Sequence, residues 1–197
     1  MNDDCLKLTA YFGERKRVHG RYIADALLDL FGRHEIATSL LLRGVEGFGP
    51  KHRLRTDSLL TLSEDLPAVA VAVDSRVRIE ALIDDAIGLT GEGLLTLERA
   101  RMGAGQAAGE HTDVPYGETK LTIYSSRRAR ANQMPAHIAI CDLLHRRGIA
   151  GATTLLGVDG TRNGLRQRAR LFARNTDVPI MVIAVGAGDQ IADVLPE

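Results

Sequence analysis

Tryptophan is absent from this 197-residue chain, and phenylalanine and tyrosine supply only four residues each. A core must therefore be built from Leu, Ile, Val and Ala. The only cysteines are Cys5 and Cys141. Their separation fits no metal-ligand spacing, and two distant thiols make no disulfide framework, so both are expected to be reduced. Charge of one sign is not in excess: Lys plus Arg number 25, Asp plus Glu number 25, and the formal net charge is zero. That balance argues against a nucleic-acid partner held by bulk charge. No apolar run approaches the ~20 residues needed to span a bilayer. The acidic start Met1-Asn2-Asp3-Asp4 lacks the basic opening and apolar stretch of a signal peptide, so a cytoplasmic location is expected.

Signatures of catalysis are missing too. No Gly-x-Ser-x-Gly elbow occurs, and Cys5 and Cys141 fall in a predicted strand and helix, where burial is the default. The carboxylate pairs Asp84-Asp85 and Glu64-Asp65 lie on a helix and at a loop edge and read as solvated surface. His19, His34, His52, His111, His137 and His145 are scattered, with no pair at the spacing that places two ligands on one helix face. The chain reads as a non-enzyme with no catalytic residue and no metal site. What remains is ordinary globular composition, 45% hydrophobic and 25% charged, at a length that suits one large domain or two small ones.

Self-similarity decides between these. Lys7-Leu8-Thr9-Ala10-Tyr11 recurs 113 residues on as Lys120-Leu121-Thr122-Ile123-Tyr124. The same offset pairs Asp29-Leu30 with Asp142-Leu143, Ile36-Ala37 with Ile149-Ala150, Gly44-Val45 with Gly157-Val158, Gly47 with Gly160, and Arg53 with Arg166. One residue is then lost, and Asp65-Leu66-Pro67 faces Asp177-Val178-Pro179. A register held this long marks a duplicated domain rather than a solenoid. Residues 5–102 form the first copy and 118–197 the second. Residues 103–117, which are small and Gly-rich, read as a linker.

Each copy has one pattern. In the first, Leu6, Leu8, Ala10 and Phe12 alternate with polar residues as a strand. Ile23, Ala26, Leu27, Leu30 and Phe31 make a helical stripe. Thr38 to Val45 is a second strand, and Val69, Val71 and Val73 mark a third. Ile79, Leu82, Ile83, Ala86 and Ile87 form a second helical stripe, and Leu94 to Arg101 a fourth strand with Leu95 and Leu97 on one face. The order is βαββαβ, the ferredoxin-like unit. The fold class is therefore α+β, with two ferredoxin-like units, the second stopping before its last strand. That second unit is expected to be truncated or completed by another segment or chain.

Between strands two and three runs a stretch, residues 43–56, that is long for a hairpin connection. Its glycines Gly44, Gly47 and Gly49 leave backbone N–H groups accessible to an anion, and Arg43, Lys51, Arg53 and Arg55 add cationic donors. A solvated basic hairpin tip fits these residues equally well. Thr90-Gly91-Glu92-Gly93, taken alone, reads as a helix C-cap and turn.

Leu6-Lys7-Leu8-Thr9, the run Arg43 to Gly49, Leu62 to Pro67 and Thr90 to Gly93 with Leu97-Glu98-Arg99 fall in the order seen in the PII signal-transduction proteins. Most closely the chain resembles their PII-like relatives, the domain-of-unknown-function family 190. The resemblance implies ferredoxin-like units, trimeric packing and a regulatory loop after strand two. It also implies that a small effector, usually an adenine nucleotide, binds in a cleft between units. Gly47, Phe48, Gly49, Lys51 and Arg53 would lie on the loop side, and Gly91, Gly93 and Arg99 on the other. Two departures stand out: Leu94 occupies the place of a lysine, and the loop carries no tyrosine for modification. In the second copy Gly160-Thr161-Arg162 replaces Gly47-Phe48-Gly49, so that copy reads as a structural partner to the first.

The resulting expectation is a regulator without resident cofactor, a homotrimer that signals through the 43–56 loop. A membrane transporter or channel partner, such as a fluoride exporter, is implied by the resemblance alone. The alternatives are an oligomerisation module with a decayed site, and a divalent-metal-binding protein of the cation-tolerance type.

Overall fold

The structure is a computed structural model and describes residues 2–48, 54–56, 65–103, 117–168 and 178–197. In chain order the elements are β1 (Asn2–Gly13), β2 (Arg17–Val18), β3 (Arg21–Tyr22), α1 (Ile23–Arg33), β4 (Thr38–Arg43), β5 (Glu46–Phe48) and β6 (Leu54–Thr56). Then follow β7 (Pro67–Ser75), α2 (Arg76–Glu80), α3 (Ile83–Thr90) and β8 (Leu94–Met102). The second copy gives β9 (Glu118–Ser126), β10 (Arg130–Ala131), β11 (Met134–Pro135), α4 (Ala136–Arg146) and β12 (Gly151–Leu156). It ends with β13 (Asp159–Arg162), β14 (Leu165–Arg166), β15 (Pro179–Ala187) and α5 (Gly188–Val194). The fold is α+β with antiparallel sheets, as expected. No helix among the described residues is long and apolar enough to cross a membrane.

Two compact units form, and their boundary differs from the repeat boundary. The N-terminal unit is Asn2–Arg101 together with Val158–Arg168; the C-terminal unit is Met102–Gly157 with Ala169–Glu197. The expected linker lies, apart from Gly103 and Gly117, outside the described residues.

In the N-terminal unit the sheet runs β14-β13-β4-β7-β1-β8. The alternation of β1 places Leu6, Leu8, Ala10 and Phe12 on the face covered by α1, α2 and α3. On β7 it is the alanines Ala68, Ala70 and Ala72 that face the helices, not the valines. Small residues there make room for the fully buried Leu27, Leu30 and Phe31 of α1. Asp74, at the end of β7, is 6% exposed and accepts from the Ala37 and Ser75 amides at 2.8 and 2.6 Å, which fixes the entry to β4. The C-terminal unit has the sheet β12-β15-β9, with Leu144, Ile180, Val182 and Ile191 in its core. No strand answering to β8 stands beside β9 among the described residues, in line with the missing last strand.

Four local differences from the sequence reading have physical causes. The second helical stripe is two short helices, interrupted at Ala81 and buried Leu82, whose backbone is stretched to φ −117°, ψ 0°. Ile87, counted in that stripe, is 54% exposed. On the β8 face that carries Leu95, burial stops after that residue: Leu97 is 43% exposed, while Thr96, Glu98, Ala100 and Met102 on the other face stay half-buried. The hairpins β2–β3 and β10–β11 appear at equivalent places in both copies, each with positive φ at both turn residues, His19-Gly20 and Asn132-Gln133.

Candidate functional site

The N-terminal unit gathers its functional candidates at one end of the sheet. Register places Arg43 opposite Ala68 and Gly13 opposite Pro67, while Gly93 lies against Tyr11. The ends of β4 and β1 and the starts of β7 and β8 thus stand side by side. At ~4.8 Å per strand, this end is about 15 Å wide from Arg43 to Leu94. From one corner the 43–56 stretch leaves; at the other sits the Gly91–Gly93 turn.

The stretch is partly strand rather than loop. Glu46 pairs with Thr56, Gly47 with Arg55 and Phe48 with Leu54. Gly49, Lys51 and Arg53 lie outside the described residues. In the turn, Gly91 caps α3 at φ +57°, a region that favours glycine, and its N–H donates to the Ile87 carbonyl at 3.1 Å. A Cβ on Gly93 would lie 2.4 Å from the Tyr11 carbonyl oxygen. Backbone geometry therefore accounts for both glycines whether or not a ligand binds.

Arg99 is not part of this end. It is exposed on β8, six residues beyond Gly93, which at ~3.3 Å per residue is about 20 Å away. The Lys7–Glu98 ion pair of 2.9 Å fixes that part of β8 against the middle of β1. Within one unit, Arg99 and the Gly91–Gly93 turn do not form a single cluster.

Arg43, a donor expected from the 43–56 stretch, stands at this end together with Lys16, which the sequence does not single out. Lys16 Nζ lies 3.8 Å from Glu92, in the glycine turn. Arg43 Nε lies 3.0 Å from Glu14. Arg17 stacks 4.3 Å above the Tyr22 ring and donates to its hydroxyl at 2.9 Å. Asp65 accepts from the Arg15 amide at 2.6 Å and ties the turn after β1 to the strand that closes the loop. Leu94, in the place of the expected lysine, is 59% exposed. For Lys16 the only sequence signal was its proximity to a glycine turn, which is weak without topology.

A second charged cluster lies where β13 and β14 join the sheet. Arg166 donates to Asp159 at 2.7 Å, to Asp25 at 2.5 Å and to Asp29 at 3.1 Å. Partial burial works against its charge, but hydrogen bonds to Asp159 and Asp25 prevail and hold the guanidinium above the ordinary arginine range. Asp159, whose side chain is 4% exposed, also accepts from the Gly160 amide at 2.8 Å. Ser39 Oγ pairs with Thr161 Oγ1 at 2.8 Å and accepts from the Thr161 amide at 3.0 Å. Every partner is internal and satisfied, so this cluster anchors strands. The β13–β14 hairpin of the second repeat thus belongs to the sheet of the N-terminal unit.

Elsewhere, an open cleft is lined by His19, Arg33, Asp84, Asp85, Gly88 and Leu89. No group of three or more His, Cys, Asp or Glu able to hold a metal ion occurs among the described residues. Cys5 is buried, and Cys141 Sγ lies 3.3 Å from Thr154 Oγ1; neither is joined in a disulfide.

Among solved structures, the chain aligns with an unknown protein from Galdieria sulphuraria at 11% identity, over 92% of this chain and 80% of that one, with a TM-score of 0.25. The family model DUF190, described as "Uncharacterized ACR", matches residues 5–102 and again 118–197. Both copies of the repeat are covered by these matches, and the chain belongs to the DUF190 family.

Proposed function

We propose that the chain is a non-enzymatic PII-like regulatory protein. It binds a small anionic effector, an adenine nucleotide first among candidates, at the loop-base end of its N-terminal unit. The observation that carries this reading is that the loop base and the Gly91–Gly93 turn stand at the two corners of one sheet end, Arg43 at the first and Lys16 at the second. Both cations are held by exposed ion pairs, worth about 0–1 kcal/mol each. A charge-assisted contact to phosphate is worth about 1.5–3 kcal/mol. Phosphate therefore outcompetes Glu92 and Glu14 for these groups. Binding would order the 43–56 segment, whose two states give the signal.

A second reading, an oligomerisation module, is favoured by the use of the second copy's loop as strands β13 and β14. Thermal unfolding of the full chain with ATP, ADP, AMP and cyclic AMP separates the two. A ligand at 100 times its Kd stabilises by about 2.7 kcal/mol. For a chain of this size that raises Tm by roughly 5–10 °C. No shift with any of the four at millimolar concentration overturns the regulatory reading in favour of the module.

A further inference from the structure

We propose that β12 of the C-terminal unit is the seat for the β5–β6 hairpin of a second copy of this chain. The two copies of the repeat make the case by comparison. In the N-terminal unit, β13 pairs with β14 on one side and with β4 on the other, Asp159 opposite Leu41 and Thr161 opposite Ser39. The 113-residue offset maps β13 onto β5, β4 onto β12 and β7 onto β15, the last after the one-residue loss. Like β13, β5 has a hairpin partner, β6. Unlike β13, it has no second strand beside it among the described residues. Correspondingly, among the described residues β12 pairs with β15 alone.

Burial records the difference. Ser39 and Leu40 of β4 are 1% and 0% exposed beneath β13. Their counterparts Ala152 and Thr153 are exposed. Among the described residues each chain therefore carries a strand-donating hairpin and, at β12, a strand-accepting edge, with no further strand paired to either. A contact of this kind is heterologous, so repeating it from chain to chain closes a ring or extends a filament. Unpaired edges are a hazard that folded proteins cover, and a segment of matching register is at hand.

Transferring the observed register sets Glu46 opposite Thr154, Gly47 opposite Thr153 and Phe48 opposite Ala152. Where the first seat has the polar pair Thr161 and Ser39, the second has an apolar pair. Asp25 of the first seat is replaced by Ile138, 50% exposed, while Asp29 is kept as Asp142. The second seat is thus more apolar than the first. The residues of the first seat's turn are not kept in the repeat. Asn163 and Gly164 have positive φ, and a Cβ on Gly164 would stand 3.0 Å from the Gly32 carbonyl. Their counterparts are Pro50 and Lys51, and Gly32 becomes His145. The pairing is therefore confined to Glu46–Phe48 and β12.

The test uses the full chain in a Cys141→Ser background, with two differently tagged versions mixed. One carries Phe48→Cys and the other Ala152→Cys. Facing strand residues stand about 4.5–5.5 Å apart at Cα, which suits a disulfide. Ser39→Cys with Thr161→Cys in one chain is the control that must close. Oxidation is expected to give a covalent species carrying both tags, and light scattering of the unsubstituted chain an oligomer. Dilution to monomer should raise amide exchange at 46–48 and 151–154 together. A bridge formed only within one chain when both substitutions are present overturns the proposal. So does the absence of any bridge while the control closes, or capture by Thr122→Cys on β9 instead. A monomer whose exchange at β12 does not change with concentration overturns it without any substitution.

Discussion

Replacing Arg166 with alanine removes one side chain that ties β14 and β13 to α1. The guanidinium is 29% exposed and reaches Asp159, Asp25 and Asp29, whose side chains are 4%, 27% and 35% exposed. Breaking a buried ion pair from one side costs about 3–5 kcal/mol, because the other charge is left without its partner. Here the loss is smaller. Asp159 keeps the Gly160 amide, and Arg168 Nε stands 3.6 Å away. Asp25 and Asp29 can turn to water. The expected cost is therefore about 2–3 kcal/mol, read by urea denaturation as a lower midpoint at unchanged slope. In thermal unfolding it corresponds to roughly 5–10 °C. Arg168→Ala is the control: its side chain is 62% exposed, and its loss should cost under about 0.5 kcal/mol. Exchange of the 159–166 amides should rise in Arg166→Ala before the β1–β7 ladder is affected. If Arg166→Ala and Arg168→Ala are equally mild, the cluster does not hold the hairpin, and the crossing of the second copy into the first sheet needs another cause.

Ser39→Ala removes the buried acceptor of the Thr161 amide and should cost about 1–3 kcal/mol by the same denaturation assay. Gly93→Ala places a Cβ 2.4 Å from the Tyr11 carbonyl oxygen and should destabilise by about 1–3 kcal/mol, seen as a lower Tm. Lys16→Ala and Arg43→Ala should each weaken nucleotide binding about 10- to 100-fold by calorimetry, with Tm of the unliganded chain nearly unchanged. Arg99→Ala should leave that affinity within about twofold, given its ~20 Å separation from the turn along β8. Light scattering at micromolar concentration should give a homotrimer, and a monomer would contradict both the trimer and any intersubunit cleft.

Much of the architecture could be read from the residues. The recurrence of Lys7-Leu8-Thr9 at Lys120-Leu121-Thr122 located two copies, and alternation in Leu6 to Phe12 gave β1 its buried face. Alternation could not say whether Val69, Val71 and Val73 or the alanines between them met the helices, because Val71, Val73 and all three alanines are buried. The crossing of β13–β14 into the N-terminal sheet was hidden for a different reason. The repeat register assigns those residues to the second copy, and strand pairing over 122 residues leaves no local trace. Asn163-Gly164 did carry a hairpin signal, since both positions take positive φ. At the candidate site, the Gly91–Gly93 turn was legible, but its neighbours were not. Lys16 comes to it through the turn after β1, the strand order β4-β7-β1-β8 sets Arg43 at the far corner of the same sheet end, and the run of β8 carries Arg99 about 20 Å away.

Amide hydrogen exchange on the full chain, with and without a saturating nucleotide identified by the thermal screen, tests the effector site most directly. Protection is expected in two separated segments at once, the loop base at 44–48 and the turn at 91–93, with 159–166 unchanged. Protection confined to other parts of the chain, or a bound nucleotide that leaves both segments exchanging as before, would contradict a site at the loop-base end of the N-terminal unit.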